Sequence, residues 1–163
     1  MPVDDATLAS AIRRQQERLA RDPTSLAFAQ LADLYRKAGR PGDAVALCRE
    51  GLGRYPHYTT ARLILAKALL ALGDAPAALA ELGTILEVSP RDVQCHRLAA
   101  EVQRRLGRID AAVRHLDMAV SLDPGDREAR ALLGLLRANP GGDAETSGLA
   151  QVLRDDTFVT VGF

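Results

Sequence analysis

The sequence predicts an all-α chain: a right-handed solenoid of antiparallel helix pairs, three repeats long, with one helix before them and one after. Three observations predict it. Gly39, Gly73 and Gly107 are spaced 34 residues apart, as are Ala44, Ala78, Ala112 and Pro56, Pro90, Pro124. A fixed period in this range marks stacked supersecondary units. Apolar residues on both sides of each glycine recur at helical spacing. The apolar 47% is mostly Ala and Leu, with 4% aromatics and no Trp, and this composition favours helix over strand.

Each element follows in order. Residues 4–21 read as a helix opened by Asp4 and Asp5, with Leu8, Ile12 and Leu19 on one stripe to cover the first repeat. The repeats span 25–58, 59–92 and 93–126, and further matched positions hold the register: Ala32/Ala66/Ala100, Leu31/Leu65/Ala99, Val45/Leu79/Val113 and Leu52/Leu86/Val120. Leu65, Leu69 and Leu72 line one face before Gly73, and Leu79, Leu82 and Leu86 do so after it. The glycines stop each first helix, where a left-handed backbone is needed. Asp74 and Asp110 are placed to cap the second helix, and Pro76 is tolerated in a first turn. The repeated alanines mark close helix crossings. The prolines end each second helix and turn the chain. Residues 127–138 read as one more first helix, with Leu132, Leu133 and Leu136 inward and Arg127, Arg130 and Arg137 outward. Terminal repeats need such caps. The domain is therefore 1–138, followed at 139–163 by a flexible linker and tail with a short helix at 149–154 and an extended end.

Composition excludes several functions. Twenty-one basic residues balance 21 acidic ones, so a strongly basic nucleic-acid binder is not expected, and no basic stripe carries interleaved aromatics. The N-terminus lacks the basic and apolar regions of a signal peptide. Leu63 to Gly73, broken by Lys67, is too short to span a bilayer, so no membrane insertion is expected. Cys48 and Cys95 form no metal-binding or disulfide pattern and read as free thiols in a cytoplasmic protein. His57, His96 and His115 recur in no pattern, and no nucleophile, phosphate loop or metal motif accompanies them. Cys95 and His96, adjacent on a helix, point about 100° apart. No enzyme activity, catalytic residue, metal or cofactor is expected.

The 34-residue period, the Leu-Ala pair, the turn glycine, the buried alanine and the terminal proline together resemble the tetratricopeptide repeat over 25–126, and partly into 127–138. This sequence departs from the pattern at the bulky aromatic early in the first helix, which is Phe28 but then Arg62 and His96. Its mid-helix tyrosine survives only as Tyr35, with Leu69 and Gln103 in the later repeats. The late alanine of the second helix is Gly51, Ile85 and Ala119.

The resemblance implies a concave groove lined by the first helices. Its positions hold Leu26, Ala29, Asp33, Arg36 and Lys37, then Thr60, Leu63, Lys67, Leu70 and Ala71, then Gln94, Arg97, Glu101, Arg104 and Arg105. The candidate partner-binding set is Asp33, Arg36, Lys37, Leu63, Lys67, Leu70, Arg97, Glu101, Arg104 and Arg105. Six basic residues against two acidic ones, with an exposed Leu63 and Leu70, suit a peptide with apolar anchors and negative charge. The carboxylate-gripping clamp of heat-shock co-chaperones is absent, since its positions hold Ala29, Asp33, Ile64, Gln94 and Leu98.

The expected function is a protein-interaction scaffold that takes a peptide or partner protein in the groove. A dedicated chaperone of the three-repeat secretion type is the alternative, although such grooves are richer in aromatics. A regulatory or assembly piece of a larger protein is a third reading. The tail is a further candidate element. It carries four acidic residues against Arg154 alone, and Phe158, Val159, Val161 and Phe163 close the chain. On a strand Val159, Val161 and Phe163 share one face. The tail is expected to fold back into the groove, to pair with another protein's sheet edge, to begin a further helix of a longer parent, or to be a disordered, truncated end.

Overall fold

The computed structural model describes residues 4–140 and contains eight α-helices and no strand among them. The order is α1 (Asp5–Arg21), α2 (Ala27–Lys37), α3 (Pro41–Arg54), α4 (Thr59–Ala71), α5 (Ala75–Val88), α6 (Val93–Arg105), α7 (Ile109–Leu122) and α8 (Arg127–Ala138). The chain divides between Val88 and Ser89 into two compact bodies. In the N-terminal body each helix packs on its chain neighbour, and α2 also touches α4. In the C-terminal body α7 packs against both α6 and α8.

The turn glycines fix the helix pairs. Gly39, Gly73 and Gly107 have φ of 73°, 82° and 72°, a region that costs a side chain strain and glycine nothing. Around each, the next residue's N–H reaches back five residues: Arg40 to Tyr35 O, Asp74 to Leu69 O and Arg108 to Gln103 O, at 2.8, 2.9 and 2.9 Å. The glycine N–H itself bonds three residues back, to Arg36, Leu70 and Arg104. This double bond pattern satisfies carbonyls that a helix end would leave open and reverses the chain within three residues.

The connections between repeats end the second helices two residues before Pro56, Pro90 and Pro124. Asp92 and Asp126 then cap α6 and α8, accepting from Cys95 N and Ala129 N at 2.9 and 3.0 Å. Asp74 caps α5 by accepting from Ala77 N at 3.1 Å. Asp110 does not cap. It lies inside the first turn of α7, where its charge faces the positive helix end, and Arg108 holds the cap position without a side-chain bond.

Small residues mark the crossings: Ala32, Ala44, Ala66 and Ala78 in one body and Ala112 in the other are fully buried, and Ala100 nearly so. Leu31, Leu65, Leu82, Leu98 and Leu116 fill the space beside them. In the C-terminal body Leu132 and Leu133 of α8 complete a cluster with Ala100, Leu116 and Ala129, with Leu136 against it. Leu72 departs from the expected stripe. It follows α4 as the cap residue and is 52% exposed, because the glycine turn carries it off the helix face. No residue of α1 is fully buried, and Leu8, Ile12 and Leu19 are half-buried. Phe158, Val159, Val161 and Phe163, with the rest of the tail from 141, lie outside the described residues.

Candidate functional site

On α2 the sequence places a carboxylate three and four residues before two cations, a spacing that brings them together on one helix face. Asp33, 8% exposed, takes Arg36 Nε on Oδ1 at 3.1 Å and Lys37 Nζ on Oδ2 at 3.0 Å. Burial acts to raise the Asp33 pKa, but the Arg36 and Lys37 charges outweigh it and hold the carboxyl below its ordinary value. On α4, Leu63 and Lys67 are half-buried, and Leu70 is buried at 8% exposure. The expected pair of exposed leucines is therefore not present.

The C-terminal body repeats the α2 arrangement on α6. Glu101, 5% exposed, is gripped by Arg104 through Nε and Nη2 at 3.0 and 3.1 Å, and by Arg105 Nε at 2.6 Å. Arg97 reaches α8, with Nη1 3.2 Å from Asp126 and Nη2 3.0 Å from Glu128. Arg36, Lys37, Arg97, Arg104 and Arg105 of the expected groove cations are thus ion-paired, and they do not form the open basic surface that residue counting implies. Arg104 is buried with Glu101, while Lys37 and Arg105 remain exposed. A carboxylate held between two cations leaves net positive charge in each cluster, and its bonds fix where the outer cation sits.

A second arrangement recurs on the helix pairs and was missed in the sequence. The position of the expected aromatic faces a residue 19 later on the following helix. In the second repeat Arg62 Nη1 donates to Glu81 Oε2 at 2.7 Å, and Arg62 Nη2 donates to Pro56 O at 2.7 Å. One period later His96 Nδ1 lies 3.1 Å from His115 Nδ1, and His96 Nε2 lies 2.8 Å from Pro90 O. One period further Arg130 Nη2 donates to Pro124 O. The first repeat uses rings instead: Phe28 stacks on Tyr55 and meets Tyr58 edge-on, with centroids 6.3 and 5.8 Å away. The shared 19-residue offset of Arg62–Glu81 and His96–His115 was the available signal.

No three His, Cys, Asp or Glu residues gather at metal-binding distance among the described residues. No described helix is long and apolar enough to cross a membrane. Both thiols are buried and in no disulfide, and burial is the main reason that each is pushed up to about 12.

The tetratricopeptide repeat family model matches residues 35–102 and 76–136, together more than half of the chain. The chain belongs to the tetratricopeptide repeat family. No match is found among curated proteins. Solved structures of tetratricopeptide and related chains share the fold. A MamA crystal structure superposes with a TM-score of 0.72 at 22% identity, covering 90% of this chain and 77% of that one. A MamA fragment from Desulfovibrio magneticus RS-1 gives 0.75 at 18% identity, covering 90% and 82%. A tetratricopeptide repeat protein from Parabacteroides merdae ATCC 43184 gives 0.70 at 19% identity, covering 95% and 64%. At these identities the likeness is one of fold. The tetratricopeptide assignment explains why the first helices keep polar side chains on one face while the alanine-marked face packs.

Proposed function

We propose that this tetratricopeptide repeat domain, taken as 1–138, is a cytoplasmic protein-interaction scaffold that binds a peptide or protein partner on the exposed faces of its first helices. One observation carries this reading. Buried Asp33 and Glu101 hold Arg36, Lys37, Arg104 and Arg105 in set positions, so cations on α2 and α6 are oriented before any partner arrives. Such preorganisation lowers the entropy lost when an acidic side chain docks. Leu63 and Lys67 on α4, in the same body as the Asp33 cluster, supply a partly apolar contact. Leu70, Asp33, Glu101 and Arg104 act beneath the surface, and Lys37, Leu63, Arg97 and Arg105 are the contact residues. Buried Cys48 and Cys95, in no disulfide, fit a reducing compartment.

The four described aromatics are Phe28, Tyr35, Tyr55 and Tyr58. Three form one cluster, and Arg40 sits 4.4 Å over the Tyr35 ring. These aromatics are engaged within the domain, and the scaffold reading is preferred to the secretion chaperone. The test is site-directed photocrosslinking in cells. A crosslinker at Leu63 or Arg105 should capture a partner that one at exposed Glu87 does not, and Lys37→Glu with Arg105→Glu should reduce that capture at least fivefold. Equal capture from Glu87 would move the site off the first helices.

A further inference from the structure

His96 on α6 and His115 on α7 meet nitrogen to nitrogen, and the contact dictates where protons sit. Pro90 O accepts only, so His96 Nε2 at 2.8 Å carries a hydrogen. In a neutral ring Nδ1 of His96 is then a bare acceptor. The 3.1 Å approach of His115 Nδ1 requires that His115 donate there. One shared hydrogen therefore closes the gap between the two helices. The first added proton can be placed at His115 Nε2 without touching that contact. Once His96 Nδ1 is also protonated, two N–H groups face each other 3.1 Å apart and both rings are cations.

We propose that the His96–His115 contact is a proton-operated latch between α6 and α7, closed near neutral pH and released in mildly acidic solution. The rings lie 5.4 Å apart, and His96 is buried, so little water screens two like charges there. The charged groups around the pair do not relieve the repulsion. Arg114 on α7 adds to it. Asp92, in the turn before α6, accepts from Cys95 N through its carboxylate. Arg97, the next residue on α6, is held by Asp126 and Glu128 of α8 and its turn.

Burial, then His96, then Arg114 lower the His115 pKa below its ordinary 6.5. The folded state thus binds protons less readily than the unfolded state. The proton on His115 therefore already weakens the folded state as pH falls from about 6.5 through the lowered value, with the Nδ1 contact still made. The second repeat builds the same position with an ion pair in place of two rings, Arg62 with Glu81.

Importing that pair gives the test. Amide hydrogen exchange of α6 and α7, corrected for intrinsic rates, is followed at pH 7.5 and 5.5 in the full chain and in His96→Arg/His115→Glu. Loss of protection on acidification should be at least about tenfold greater in the natural chain than in the variant. If the variant does not fold, His115→Leu, which copies Leu47 of the first repeat, replaces it with the same expectation. Nitrogen NMR of the natural chain provides a readout that a merely structural role would not move: at pH 7.5 His115 should carry its hydrogen on Nδ1 and His96 on Nε2. Equal loss of protection in both chains, or both rings carrying hydrogen on Nε2, would overturn the latch.

Discussion

The two bodies solve one packing problem in different currencies. In the N-terminal body the first repeat packs Phe28 against Tyr55 and Tyr58, and Gly51 makes room for the ring. In the C-terminal body, two periods on, the position of Phe28 is His96, that of Tyr58 is Asp126, and that of Gly51 is the larger Ala119. A turn sealed by apolar area thus becomes one tied by directional bonds to Pro90 O, His115 and the Asp92 cap. Apolar burial is indifferent to pH, while hydrogen bonds between titratable groups are not. The difference teaches that a repeat can keep its backbone and exchange the physics of its joint, and that only the polar version can respond to protons.

The largest effect should come from breaking the aromatic joint. Phe28→Ala removes a ring that is 4% exposed and should cost about 3–4 kcal/mol. His96→Ala removes two bonds and little apolar area, and should cost about 1–2 kcal/mol at pH 7.5. Urea unfolding of both variants checks the order, and equal losses would erase the distinction between the joints.

Gly51 sharpens the same comparison. A Cβ built there falls 2.1 Å from the Phe28 ring, whereas one at Gly53, two residues on in the same helix, meets nothing within 4 Å. Helix propensity alone favours Ala at both by about 1 kcal/mol. Overpacking should reverse the sign at one. Gly51→Ala is expected to destabilise by about 1–3 kcal/mol and Gly53→Ala to stabilise by up to about 1 kcal/mol. In a Phe28→Leu background the Gly51→Ala cost should shrink, which a double-mutant cycle measures.

Much of this frame was legible in the sequence for reasons that are local. Gly39, Gly73 and Gly107 are demanded by a positive φ, and Ala44, Ala78 and Ala112 by buried crossings, so neither set can drift without strain. The groove was less legible. Pairing of Asp33 with Arg36 and Lys37 follows from three- and four-residue spacing, yet counting charges treats the cations as open. Burial of Leu70 depends on packing around α4 that a pattern of exposed positions does not contain. The His96–His115 contact joins residues 19 apart on two helices, and it is visible only when set beside Arg62–Glu81 one period earlier.

A smaller effect belongs to the caps. Asp92→Ala and Asp126→Ala should each cost about 1 kcal/mol, since each frees one helix N–H. Asp126→Ala should cost more than Asp92→Ala, because it also removes an Arg97 partner. Equal costs would mean that the Arg97–Asp126 ion pair contributes nothing measurable.

The smallest expected difference concerns the two thiols. Cys48 and Cys95 are fully buried, and both are pushed up to about 12 by desolvation first, then by Asp33 and Glu81 for Cys48 and by Asp92 for Cys95. Thiolate is therefore scarce in the closed state, so a disulfide reagent should react only through local opening. Each cysteine then reports the opening of its own body. The C-terminal body has no aromatic cluster among its described residues, so Cys95 should label a few-fold faster than Cys48. The single variants Cys48→Ala and Cys95→Ala allow each rate to be read alone. His96→Arg/His115→Glu, which installs the ion pair of the second repeat, should bring the Cys95 rate down towards that of Cys48. If Cys48 labels first, the ring-packed joint opens more readily than the hydrogen-bonded one, and the ranking of the two bodies drawn from their chemistry is reversed.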